Sequence, residues 1–126
     1  MHENEISKIV LDAAIEVHST LGGPGLLESV YEEALAYELT NRGLSIERQK
    51  LVPLMYKNQL LATPLRLDLL VEGKVIVECK ATTEYNEIFE VQTLTYLRLT
   101  GLKLGLVINF GGKHVVDGYK RVANKL

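Results

Sequence analysis

Cysteine is nearly absent from this 126-residue chain, in which Cys79 is the only one. A lone cysteine excludes an internal disulfide and a zinc or iron–sulfur site built from cysteines. No apolar run approaches the roughly 20 residues that cross a bilayer, so we expect no membrane segment. The first residues, Met1 to Glu5, carry no basic region leading into an apolar run. We therefore expect no signal peptide and a cytoplasmic location.

The chain also has no surplus of basic residues, because it contains 14 Lys and Arg and 16 Asp and Glu, for a net charge of −2. This balance counts against casual nucleic-acid binding, because phosphate contacts supply much of that affinity. Five basic residues nevertheless cluster in sequence. They could form a local basic surface, or simply occupy solvated strand edges and turns: Arg42, Arg48, Lys50, Lys57 and Arg66.

Internal repeats and low-complexity linkers are absent, so residues 1–126 are predicted to form a single domain. Apolar spacings of three and four residues predict helices over Glu5–Leu21, with Asn4 as N-cap, Leu27–Arg42 and Glu87–Thr100. His18 is expected to be partly exposed near the end of the first helix.

Short β-rich runs predict the strands. They are Ser45–Lys50, Val52–Tyr56, Gln59–Leu61, Leu65–Val71, Lys74–Lys80, Leu102–Phe110 and His114–Asp117, followed by a basic tail over Tyr119–Leu126. The apolar run before Phe110 indicates a covered parallel strand reached by a helical crossover. This order favours an α/β (α+β) fold, a mixed central β-sheet with helices on both faces.

The two strands joined at Glu72-Gly73 contain charged residues in an otherwise apolar setting. They are Asp68 on the first strand, and Glu78 and Lys80 on the second. Glu78 and Lys80 are two apart and share a face. A buried charge is costly unless it is paired or binds a metal. A salt-bridged strand pair and a functional site are both compatible with these residues.

The loop between these strands decides whether Asp68 joins the other two. A two-residue loop would set Asp68 opposite Val77, on the wrong face. A three-residue loop, with Gly73 in a left-handed conformation, sets it opposite Ile76 or Glu78. We predict the odd-length loop.

The spacing Asp68-x(9)-Glu78-x-Lys80 resembles the signature of the PD-(D/E)XK nuclease superfamily. Nearly the whole chain resembles, more narrowly, the small GxxExxR protein family within that superfamily. Gly25-Leu-Leu-Glu28 matches the start of the family's motif, with Tyr31 where the arginine would fall. Leu67 stands where the superfamily often has proline. The resemblance implies a restriction-endonuclease-like core.

The resemblance also implies roles for the three charged residues and their neighbour Cys79. Asp68, Glu78 and the backbone carbonyl of Cys79 would hold Mg²⁺ or Mn²⁺. Lys80 would orient or deprotonate the attacking water, or stabilise developing negative charge. The Cys79 side chain points to the opposite strand face, so we expect a small buried hydrophobe and not a nucleophile.

Two helices would contribute further residues if the resemblance holds. Spacing alone explains Glu28 as a carboxylate that complements the helix dipole, but the resemblance implies a role at a second ion or outer-shell water. Gln92 and Tyr96 share a helix face, and they resemble a Gln-x-x-x-Tyr motif of the exonuclease branch, which implies that Gln92 fixes the nucleophile or a ligand carboxylate. Glu32 and Glu33 are predicted to face solvent.

Two functions follow as alternatives. The first is a Mg²⁺- or Mn²⁺-dependent nuclease acting on DNA or RNA, with nucleic acid as its partner. The second is a non-catalytic interaction or nucleic-acid-associated module that keeps the fold and works through a partner or as a homodimer. The acidic balance and small size favour the second, and the site pattern favours the first.

Overall fold

The computed structural model describes residues 1–126. Its helices are α1 (Glu3–Thr20), α2 (Glu28–Asn41) and α3 (Ile88–Thr100). Its strands are β1 (Ile46–Val52), β2 (Met55–Tyr56), β3 (Gln59–Leu60), β4 (Leu65–Val71), β5 (Val75–Lys80), β6 (Leu104–Asn109) and β7 (Tyr119–Ala123), with a 3-10 turn at Val115–Gly118 before β7. None of the helices has the length and apolar character needed to cross a membrane.

Five strands form one mixed sheet in the order β1-β4-β5-β6-β7. β5 and β6 are parallel and are connected through α3, whereas the other neighbours are antiparallel. β2 and β3 form a separate two-stranded hairpin. The predicted mixed sheet is confirmed, because it contains one parallel pair and three antiparallel pairs. The parallel pair requires a long crossover connection, which α3 supplies.

Helices cover both faces of the sheet. On one face α1 and α2 bury residues such as Val10 and Leu35 against Val77 and its neighbours. On the other, Leu97 of α3 packs with Ile76 of β5 and with Val107. Burial of one such aliphatic side chain contributes about 1.5–3 kcal/mol, so these two layers hold β4 and β5 at the centre of the fold.

Glycine allows α3 to approach β6 closely. A Cβ added at Gly105 would collide with Cγ2 of Thr93, which is fully buried on α3. The Thr93 hydroxyl is already fixed because it donates to the Phe89 carbonyl at 2.8 Å. The helix therefore packs on this strand at a distance that only glycine permits.

The C-terminal prediction was wrong in two respects. His114–Asp117 is not a strand, because Val115–Gly118 forms a 3-10 turn that buries Val115 and exposes Val116. The expected tail instead contains β7, which pairs antiparallel with β6. One buried and one exposed valine in succession fit a strand as well as a 3-10 turn, so Val115 and Val116 do not distinguish the two conformations.

Two predictions about α1 were also wrong. The N-cap is His2, whose Nδ1 accepts from the Asn4 N–H at 2.9 Å, while Glu5 accepts from the His2 N–H at 3.2 Å. His18 is buried, and its Nε2 lies 3.1 Å from the carbonyl oxygens of Phe110 and Gly112. The end of α1 packs against the chain that leaves β6, which sequence neighbours do not reveal.

Candidate active site

The loop between β4 and β5 sets the register of the site. Val71 pairs with Val75, which leaves Glu72, Gly73 and Lys74 as a three-residue loop. Glu72 and Gly73 both adopt left-handed backbone, at φ 55° and 64°, and the Lys74 N–H donates to the Val71 carbonyl at 3.0 Å. The odd-length loop is confirmed.

Asp68 and Glu78 lie side by side where the pairing of β4 and β5 stops, one step beyond Leu69 and Val77. The Asp68 N–H donates to Oε2 of Glu78 at 2.9 Å, and the Cys79 N–H donates to Oδ2 of Asp68 at 2.9 Å. Each carboxylate thus accepts a backbone N–H of the neighbouring strand that a carbonyl would accept in a regular ladder. The site is built into a gap between two central strands.

Both β4 and β1 are irregular at the level of this gap. Leu69 packs in the core under α1 and α2, whereas Leu67, two residues away, packs in the core under α3. Residues two apart in a regular strand share a face, so β4 changes sides at Asp68. In β1, Gln49 opposite Asp68 is skipped in the pairing and has a left-handed φ of 50°.

A polar pocket of about 590 Å³ opens between α2 and the irregular part of β1 and β4. Asp68 lies in its wall, half-buried. The remaining lining residues are Leu27, Glu28, Ser29, Glu32, Arg48 and Gln49. Apart from one leucine, every side chain here is polar or charged, which suits a charged or strongly hydrated ligand better than an apolar one.

Glu32 lines the pocket, so the prediction that it faces solvent is wrong. It is 5% exposed. Its Oε2 pairs with Nη2 of Arg48 at 3.1 Å, and its Oε1 accepts from Nε2 of Gln49 at 2.8 Å. Glu28 and Glu32 are four residues apart and hence on one helix face, so their spacing was a signal that could have predicted this position.

Burial governs the electrostatics of the three acidic groups nearest the gap. Glu78 is 4% exposed. Burial raises its pKa to about 8, with a further increase from the Asp68 charge and a decrease from the Asp68 N–H. Burial also raises the pKa of Asp68, against the opposing Cys79 N–H, and the pKa of Glu28, against the Lys80 charge. Burial, more than repulsion between charges, thus disfavours the ionised form of these three carboxyl groups.

Lys80 is near the carboxylates but is not paired with them. Its Nζ lies 4.8 Å from the centroid of the Phe89 ring, and no carboxylate oxygen lies within 4.0 Å of it. Its charge nevertheless lowers the pKa values of Glu28, Asp68 and Glu78. The ammonium is therefore close enough to act on the gap and free of a fixed ion pair.

Gln92 lies on the exposed side of α3 and makes no hydrogen bond to either carboxylate. Its neighbour Tyr96 is half-buried. Burial raises the pKa of Tyr96, the charges of Glu78 and Asp68 raise it further, and Gln92 lowers it. The structure thus brings the tyrosine of this pair under the influence of the carboxylates, with the glutamine beside it.

The Cys79 side chain is fully buried in the core under α1 and α2, as predicted for a small hydrophobe. Burial raises the pKa of its thiol well above the usual range. Because the thiolate is the reactive form, this side chain is not a nucleophile.

The donor atoms around the gap fit a hard cation. No group of three or more His, Cys, Asp or Glu side chains is arranged to hold a metal ion. Two adjacent carboxyl groups are present, however, and burial is the main cause that raises the pKa of each. Mg²⁺ is usually held by one or two carboxylates together with water and substrate oxygens, so Asp68 and Glu78 are a sufficient protein contribution.

Comparison with known proteins identifies a family for this arrangement. A family model described as the PD-(D/E)XK nuclease superfamily matches residues 4–122. No curated protein matches the chain, and neither does any solved structure. The matched residues include all of α1 except Glu3, the whole of α2 and α3, the five-stranded sheet up to Val122, and both carboxylates of the gap.

Proposed function

Because the chain belongs to the PD-(D/E)XK nuclease superfamily, we propose that it is a divalent-metal-dependent nuclease that hydrolyses phosphodiester bonds of DNA or RNA. The observation that carries the proposal is that the Asp68 and Glu78 side chains lie side by side in the gap between β4 and β5, each held by a backbone N–H. We further propose membership of the GxxExxR family, on the strength of Gly25-Leu-Leu-Glu28 at the start of α2.

Asp68, Glu78 and the backbone carbonyl of Cys79 would hold Mg²⁺ or Mn²⁺. The bound cation would offset negative charge on the scissile phosphate and favour ionisation of a water. The backbone hydrogen bonds to Asp68 and Glu78 hold one oxygen of each carboxylate in place, so these side chains are oriented before any ligand arrives. Asp68 lines the pocket that a ligand would enter, whereas Glu78 is buried beside it.

Lys80 would orient or deprotonate the attacking water, or stabilise the charge that develops on the phosphate. Its ammonium must leave the Phe89 face to do so, and no ion pair holds it there. Glu28, which lines the pocket, would hold a second ion or an outer-shell water. Gln92 would reach the site together with Tyr96, to fix the nucleophile or a ligand carboxylate.

The direct test is cleavage of single- and double-stranded DNA and RNA with Mg²⁺, with Mn²⁺ and with EDTA. Asp68→Asn keeps an acceptor for the Cys79 N–H but removes the charge, so we expect metal-dependent cleavage to fall at least about 100-fold. Lys80→Ala removes the proposed acid–base group, for which a loss of about 10²–10⁴-fold is expected. Glu84→Gln, at an exposed position, is the matched control. Cleavage that survives both site substitutions unchanged would be contamination and would refute the proposal.

A second candidate is a non-catalytic module that keeps the fold. The position of the Lys80 ammonium over the Phe89 ring, unpaired with either carboxylate, favours it. Calorimetry separates the two functions. The nuclease requires Mn²⁺ binding that is lost in Asp68→Asn and in Glu78→Gln, whereas the module requires no such binding.

A further inference from the structure

The β2–β3 hairpin exposes apolar side chains that nothing in the chain covers. Met55, Tyr56 and Leu60 are 62%, 60% and 68% exposed, and Leu61 follows them. The two strands pair only with each other and are not part of the five-stranded sheet. Met55 and Leu60 are directly opposed and share one face of the hairpin, whereas Tyr56 projects from the other face. We call these four residues, which cover both faces, the hairpin surface. Exposed apolar groups gathered in one place mark an interaction site more often than scattered ones do.

A second uncovered apolar surface lies between α1 and α2. It is a groove of about 540 Å³. Its apolar lining is Val17, Leu21, Val30, Ala34 and Tyr37, and its rim is Glu16, Glu33 and Glu38. We call this the helix groove. Glu33 takes part in no ion pair or hydrogen bond, so at least one rim charge is available to a partner.

The unpaired charges of the two surfaces are opposite in sign. On the rim of the helix groove Glu16 and Glu33 form no ion pair, whereas Glu38 pairs with Arg42 at 2.8 Å. Arg48 and Lys50, which precede the hairpin, pair with Glu32 and Glu47 and do not add to the charge of the hairpin surface. Lys57 at the hairpin turn has no carboxylate partner, and its Nζ lies 5.4 Å from the Tyr56 ring centroid. A projecting basic apolar element and a concave acidic apolar one are therefore present on the same chain.

We propose that two copies of this chain form a closed dimer, in which the β2–β3 hairpin of each copy docks in the helix groove of the other. A reciprocal exchange uses both surfaces twice and closes on itself, as a two-fold dimer must. Methionine and aromatic residues are the side chains typical of interface centres. The acidic rim excludes a phosphate backbone from the groove. This inference is independent of the proposed nuclease function.

Sedimentation velocity and light scattering test the association first. The wild-type chain should have twice the monomer mass at about 100 µM. Leu60→Asp places a charge in the proposed groove contact and should weaken the dimer at least about tenfold. Leu99→Asp is the matched control, because Leu99 is 55% exposed on α3, outside both surfaces. A wild-type chain that stays monomeric overturns the proposal, and so does equal weakening by the two variants.

A charge exchange tests which surfaces touch. Lys57→Glu and Glu33→Lys should each weaken self-association, because each creates like-charge contacts at both docking sites. A mixture of the two variants should restore the dimer as a heterodimer, since every contact is then complementary. This recovery also excludes misfolding as the cause of the single losses. Failure to recover overturns the proposal. Loss of single-stranded oligonucleotide binding in Lys57→Glu, with a monomeric wild type, would also overturn it and assign the hairpin to nucleic acid.

Discussion

Glu78→Gln should make the protein more stable at alkaline pH. The folded-state pKa of Glu78 is about 8 against an ordinary value of 4.5. Between these values the folded protein keeps a proton that the unfolded chain has lost. Stability from this group is therefore full below about pH 4.5 and declines as pH rises toward about 8. Glutamine does not titrate, and its side-chain oxygen can still accept the Asp68 N–H.

The size of the effect follows from the pKa difference. One pKa unit corresponds to about 1.4 kcal/mol, so the change from 4.5 to about 8 sets an upper limit of about 5 kcal/mol. Relaxation and water entry around the gap reduce this limit, and we expect about 2–4 kcal/mol. Such a change is a large part of the 5–15 kcal/mol that stabilises a typical domain.

Urea unfolding followed by circular dichroism at pH 5 and pH 8.5, without divalent metal, measures this difference. The free energy of unfolding of Glu78→Gln should exceed that of the wild type by a larger amount at pH 8.5 than at pH 5. Glu84→Gln, an identical exchange at an exposed site, should show no widening. If the difference in unfolding free energy between Glu78→Gln and the wild type is the same at both pH values, burial does not raise the pKa of Glu78, and the electrostatic account of the site is wrong.

Three further predictions concern the pocket, the packing of α3 and the metal. Arg48→Met leaves Oε2 of the buried Glu32 without its partner and should lower the free energy of unfolding by about 1–3 kcal/mol, measured by urea unfolding. Gly105→Ala should cost about 1–3 kcal/mol through overpacking, and adding Thr93→Ser, which removes the colliding methyl, should recover most of that loss. Mn²⁺ should raise the wild-type Tm at pH 8 and leave that of Asp68→Asn unchanged, measured by calorimetry.

Each of these has its own control. Arg98→Met, an exposed exchange on α3, should be nearly neutral, and an equal loss there would remove the special role of the Glu32 pair. Gly112→Ala adds a Cβ where nothing lies within 4 Å. If it costs as much as Gly105→Ala, backbone freedom and not packing is responsible. An equal Mn²⁺ shift in wild type and Asp68→Asn would assign the ion to another place.

The strand pair at the centre of the fold could be predicted from sequence because its constraints are local. The odd-length loop follows from the two faces of a strand and from the need to keep Asp68 beside Glu78. The rotamer of Lys80 has no such constraint. Strand periodicity fixes the face of the sheet on which the Lys80 side chain emerges. Its four-carbon chain can still place the ammonium either over an aromatic ring or beside a carboxylate, and the sequence does not decide between them.

The pocket side of the site could not be predicted in the same way. The left-handed backbone of Gln49 brings two consecutive residues of β1, Arg48 and Gln49, to one carboxylate. Consecutive strand residues normally point to opposite faces, and glutamine gives no sign of a left-handed conformation. The prediction that Glu32 faces solvent is wrong because its partners come from a strand whose irregularity the sequence does not reveal.

The hydrogen bonds from the Asp68 N–H to Glu78 and from the Cys79 N–H to Asp68 give the site two spectroscopic probes. The amide protons of these residues are each bonded to an ionisable oxygen of the gap. Their cross-peaks in an NMR spectrum should therefore move as Glu78 and Asp68 change protonation, and move again when a cation draws electron density from the same oxygens. Two resonances in a spectrum of 126 residues would report the charge state of the site directly, in a protein that need not be turning over any substrate.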